Sequence, residues 1–86
     1  MSPTTQDQLA DLLRETIGRR AMPVALRDDT PLLGAVPELD STALLGLLTG
    51  IESRFGIAIA DEAVSADAFR TWGALLAFVE EQVAAG

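Results

Sequence analysis

The chain has 86 residues, 49% of them hydrophobic, and its six basic and thirteen acidic residues give a net charge of −7. That length makes one domain, residues 1–86, and a mean hydropathy of +0.29 leaves enough apolar side chains for a core without disulfide or metal support. The absence of Cys excludes disulfides, thiolate metal sites and cysteine nucleophiles, and the absence of His removes the commonest general base and metal ligand. So acidic a chain repels phosphate backbones, so neither nucleic acid nor an anionic membrane is an expected partner, whereas a protein with a basic patch is. Solubility alone is the commoner reason for such a charge. The start MSPTTQDQLADLL has no basic segment leading into an apolar run, and no apolar run is long enough to span a bilayer, so a cytoplasmic location is expected.

Residues 1–5 read as a polar, fraying tail with Thr4 or Thr5 available as an N-cap. From Gln6 onward Leu9, Leu12, Leu13 and Ile17 fall at helical spacing, with Asp7, Asp11, Arg14 and Glu15 on the other face and Gly18 as a stop. Residues 21–39 have no sustained period and are punctuated by Pro23, Pro31, Gly34 and Pro37. They still carry Met22, Val24, Leu26, Leu32, Leu33 and Val36, which predicts an ordered loop pinned on the core with one helical turn at TPLLG.

Next comes PELDSTALLGLLTGIESRFGI, residues 37–57. Leu44, Leu47, Leu48, Ile51 and Phe55 make one apolar stripe, Asp40 or Ser41 supplies a cap, and Gly56 a stop, so a helix over residues 41–55 is predicted. Its other face, Thr42, Leu45, Gly46, Thr49 and Ser53, is almost free of charge until Glu52. Gly46 and Gly50 each weaken a helix by roughly 1 kcal/mol relative to Ala, which suggests a close neighbour or a bound group in compensation. GIAIADEAVSADAF reads as a loop with one short helical turn between Ser65 and Phe69, since GIAIA has no partner strand. Thr71 caps a last helix with Trp72, Leu75, Leu76, Val79 and Val83 inward, and residues 84–86 fray. The expected fold is all-α, a small four-helix bundle of three long helices and a short one.

The residues leave little room for catalysis. All six basic residues are arginines, so Ser41 has neither His nor Lys to activate it, and LDSTA is not a nucleophile elbow. The pairs Asp28–Asp29 and Asp61–Glu62 are most simply solvated acids. A hydrolase built on Ser41 is therefore disfavoured. A serine at a helix N-terminus, however, sits where free N–H groups and the positive end of the dipole converge, which suits an attached phosphodiester. An Asp-Ser pair before a helix is by itself a weak signal.

The order of features resembles the acyl carrier and peptidyl carrier protein family. The resemblance lies in Asp40-Ser41 opening the second helix, the Leu44, Leu47, Leu48, Ile51 stripe, and ESRFGIAIADE from Glu52 to Glu62. DDTPLLG and FRTWGALLAFVEEQ are similar to the family's approach to the serine and to its last helix. The resemblance implies a carrier and not an enzyme. It implies covalent 4′-phosphopantetheine on Ser41, flanked by Asp40 and Thr42 and donated from coenzyme A by a phosphopantetheinyl transferase that supplies its own base. The arm's thiol would carry an acyl or aminoacyl group as a thioester, charged by a loading ligase and handed to downstream acyl-accepting enzymes. The implied partner face is Leu39, Thr42, Leu45, Gly46, Thr49, Glu52, Ile59 and Ala60, on a monomer, with an electrostatic rim from Asp28, Asp29, Glu38, Asp61 and Glu62. Two features depart from the family pattern: Thr42 follows the serine in place of a larger apolar residue, and the second helix lacks the usual acids. They favour a stand-alone carrier with few dedicated partners, an aminoacyl cargo among the options. The alternative is a non-catalytic interaction module of the same fold with Ser41 unmodified.

Overall fold

The computed structural model describes residues 4–85; residues 1–3 of the expected tail and Gly86 lie outside them. Three α-helices carry the fold: α1 (Thr5–Ile17), α2 (Ser41–Phe55) and α3 (Trp72–Ala85). Each begins where a side-chain oxygen can take an N–H that the first turn leaves without an intrahelical acceptor. At α1, Thr4 Oγ1 accepts from Asp7 N–H at 3.1 Å and Asp7 Oδ2 accepts from Thr4 N–H at 3.4 Å, a reciprocal capping box. Thr4 and Thr5 are thus structured rather than frayed. At α2, Asp40 Oδ1 accepts from Ala43 N–H at 2.9 Å, which leaves Ser41 as the first helical residue. At α3, Thr71 Oγ1 accepts from Ala74 N–H at 3.1 Å, and the helix runs on through Ala84 and Ala85, which were expected to fray. Helix α2 stops at Gly56, whose φ of 65° is left-handed and whose N–H bonds back to Glu52 O.

The expected fourth helix is not an α-helix. Residues 61–63 and 66–69 form two separate 3₁₀ turns where one short helix was predicted. Ser65 makes no side-chain cap, and Ala66–Phe69 has four residues, so i→i+3 bonds such as Ala68 N–H to Ser65 O (3.2 Å) are what so short a segment can close. Another 3₁₀ turn, Arg19–Ala21, follows α1.

The long loop is ordered, as expected, because its apolar side chains and its backbone both find partners. Leu32 and Leu39 are buried in the core with Leu9, Leu13, Leu47, Ile51, Phe69, Trp72, Leu75 and Val79. Each such burial is worth about 1.5–3 kcal/mol. The loop's backbone is stitched to the start of α3 by Leu32 N–H to Arg70 O (2.7 Å), Trp72 N–H to Thr30 O (2.9 Å) and Gly73 N–H to Asp28 O (3.1 Å). Its helical turn falls at residues 32–36, two residues beyond the expected place, closed by Val36 N–H to Leu32 O at 2.8 Å. The two glycines of α2 differ. A Cβ on Gly50 would stand 3.0 Å from Leu12 Cδ2, so the close neighbour is α1, whereas a Cβ on Gly46 would meet nothing.

Candidate functional site

Ser41 is exposed and opens α2. Because Asp40 does the capping, the Ser41 hydroxyl has no structural duty, and the Asp40 carboxylate is turned onto Ala43 N–H. Asp40 O accepts from Leu44 N–H at 2.9 Å, while the Ser41 and Thr42 N–H groups precede the first intrahelical bond and face outward with no protein acceptor among the described residues. The hydroxyl is thus an accessible, unactivated oxygen at the positive end of a helix.

Beside it lies an open apolar cleft of about 400 Å³, lined by Leu33, Ser41, Leu44, Leu45, Leu48, Val64, Ser65, Ala66 and Phe69. Among the described residues, its side-chain polar groups are the hydroxyls of Ser41 and Ser65. The α2 stripe therefore splits. Leu47 and Ile51 are in the core, while Leu44 and Leu48 are half-buried and form one wall of the cleft. Leu33 enters from the first loop, Phe69 from the second 3₁₀ turn, and residues 64–66 from the segment after α2. That segment is led back by a bond from Ile59 N–H to Glu52 Oε2 at 2.9 Å.

Several expected site residues stand elsewhere. Leu39 is 2% exposed and belongs to the core, so it offers no surface to a partner, because the turn at residues 37–38 points it inward ahead of α2. Ile59 is half-buried and Ala60 exposed, and neither lines the cleft; residues 64–66 take that place. Glu52 is half-buried and committed to Ile59 N–H. Thr42, Gly46 and Thr49 are exposed, with Thr49 Oγ1 donating to Leu45 O at 3.0 Å. Leu45, 66% exposed, is the bulky apolar side chain that this face presents. None of the wall residues Leu33, Val64, Ser65, Ala66 and Phe69 was expected to line a cleft: Ser65 and Phe69 bound the predicted helical turn, and Leu33 belongs to the loop before the serine.

Among the described residues no group of three or more acids could hold a metal ion, and no helix is long and apolar enough to cross a membrane. No family model and no curated protein matches the chain. Among solved structures, the chain is similar to a holo acyl carrier protein from Nitrosomonas europaea, with a TM-score of 0.81 and 29% identity over 95% of this chain and 99% of that one. The two chains share three-dimensional form almost end to end, so the resemblance to acyl carrier proteins read from the sequence extends to the whole fold.

Proposed function

We propose that the chain is an acyl carrier in which Ser41 holds a 4′-phosphopantetheine arm and the adjoining cleft receives an apolar acyl cargo. The observation that supports it is the placement of an exposed, duty-free serine hydroxyl at the mouth of an apolar cleft. The solved relative is itself a holo acyl carrier protein. When attached, the arm supplies a terminal thiol that holds the cargo as a thioester.

The chain's own residues do the rest. Ser41 Oγ would attack the pantetheine-bearing phosphorus of coenzyme A, and the phosphoanhydride bond would break with adenosine 3′,5′-bisphosphate as the leaving group. The serine proton would pass to a base on the transferase, since this chain has no His or Lys to take it. The Ser41 and Thr42 N–H groups and the α2 dipole favour the phosphodiester's negative charge, by about 0.3–1 kcal/mol for an exposed group. Leu44, Leu48 and Phe69 offer apolar wall to the cargo, at roughly 0.8 kcal/mol per buried methylene. Among the described residues, the cleft lining has no charged side chain to meet the ammonium group of an aminoacyl cargo, which would lose water without a partner there. That favours an acyl over an aminoacyl thioester. Transferase, loading ligase and acyl-accepting enzymes would dock on Thr42, Leu45, Gly46 and Thr49.

The test has two steps. Incubation with coenzyme A and a broad-specificity transferase adds the mass of one arm to the chain and none to Ser41→Ala. Octanoyl loading of the arm then shifts the resonances of Leu44, Leu48 and Phe69, and glycyl loading leaves them in place. A mass gain retained by Ser41→Ala overturns the attachment site, and equal shifts from both cargoes overturn the cargo preference.

A further inference from the structure

At the other end of α2 the surface has the opposite character. A groove of about 410 Å³ between the last turns of α1 and α2 is lined by Asp11, Arg14, Glu15, Gly18, Arg19 and Arg54. Arg20 follows Arg19 on the same 3₁₀ turn and is exposed. Four of the chain's six basic residues therefore gather at one place on a protein of net charge −7. Two of them are already engaged, Arg14 with Asp11 at 2.7 Å and Arg54 with Glu15 at 3.4 Å. Arg19 and Arg20 have no acidic partner among the described residues. The two helix C-termini nearby contribute roughly half a negative charge each, which the two unpaired guanidinium groups outweigh.

A second unexplained feature lies a few residues on. Val24 is 108% exposed, and it sits on the segment that leaves the Arg19–Ala21 turn. Full solvent exposure of a valine four residues along the chain from Arg20 adds an apolar foothold to the charge that the turn carries. We infer that this end of the molecule is a docking surface for an acidic, amphipathic segment of a partner protein. The arginine fork matches carboxylates bidentately, and Val24 supplies the apolar contact. Arg54 stands thirteen residues along α2 from Ser41, about 20 Å at the helical rise. A partner held there leaves the Ser41 end free to face an active site. Two-point attachment of this kind raises the effective concentration at that active site without any new contact at the serine. The surface is present whether or not Ser41 carries an arm.

The test is an amide NMR titration of the full ¹⁵N-labelled chain with a synthetic peptide of glutamate pairs alternating with leucines. Expected are shifts at Gly18, Arg19, Arg20 and Val24, with affinity falling several-fold between low and physiological salt. Arg19→Glu with Arg20→Glu lowers the affinity at least tenfold with the melting temperature unchanged, Val24→Ser lowers it several-fold, and Asp61→Asn with Glu62→Gln leaves it intact. The proposal is overturned if no residue shifts, or if the shifts fall on residues 41–48. It is equally overturned if inorganic phosphate or anionic phosphatidylserine vesicles at matched charge produce the same shifts and the same sensitivity to the arginine variants.

Discussion

The Glu52 carboxylate accepts a hydrogen bond from Ile59 N–H at 2.9 Å, seven residues ahead in the chain. Helix α2 ends at Phe55, three residues after Glu52, so this bond reaches back over the Gly56 stop and fixes the direction in which the following segment returns toward Ser41. Replacing Glu52 with Ala leaves a half-buried N–H without an acceptor, at a cost of about 1–2 kcal/mol. Glu52→Gln keeps an acceptor oxygen and costs less than half as much. Urea unfolding of the two variants separates them, and equal losses would show that charge rather than the hydrogen bond holds the segment.

Gly73 and Gly46 are expected to respond to Ala with opposite signs. In an exposed helix Ala outdoes Gly by up to about 1 kcal/mol, and Gly46 has open space around it, so Gly46→Ala raises stability. A Cβ on Gly73 would stand 2.7 Å from Asp28 O and 2.8 Å from Asp28 Cα, backbone atoms that cannot step aside singly. Gly73→Ala therefore lowers stability by about 1–3 kcal/mol, the usual range for overpacking. Thermal unfolding reads both.

Asp40 and Ser41 are neighbours with separable duties. Asp40→Ala removes the α2 cap and costs about 1 kcal/mol. Ser41→Ala touches a residue with no capping role and changes stability by less than about 0.5 kcal/mol. Chemical denaturation of the two single variants checks the division, and a larger loss for Ser41→Ala than for Asp40→Ala would place the cap on the wrong residue.

The uncharged α2 face centres on an exposed Leu45. Leu45→Glu leaves the melting temperature within a degree or two of the parent and lowers the rate of arm transfer by a broad-specificity transferase at least tenfold. A rate equal to the parent's would remove Leu45 from the docking face.

The helices were legible because each has both a period and punctuation. In α2 the Leu44 to Phe55 stripe lies between a capping Asp and a glycine free to adopt φ of 65°, and both bounds fell where those residues put them. The fourth helix misled because Ala66–Phe69 is too short for periodicity to tell a 3₁₀ turn from an α-helix. The cleft was illegible for a different reason. Spacing says that Leu44, Leu47, Leu48 and Ile51 share a side of α2, but not what stands opposite each of them. The tertiary packing decides that Leu47 joins the core with Leu9 and Leu13 of α1 while Leu48 is half-buried at the cleft. Leu39 was misplaced because its nearness to Ser41 in sequence says nothing about which way the turn before α2 directs it.

Attachment at Ser41 is the claim on which the carrier function rests. Fragmentation mass spectrometry of the chain, after incubation with coenzyme A and a transferase, locates any added group to a residue. One phosphopantetheine on Ser41, absent from Ser41→Ala, is the expected result; an unmodified chain, or an arm on Ser53 or Ser65, would contradict it.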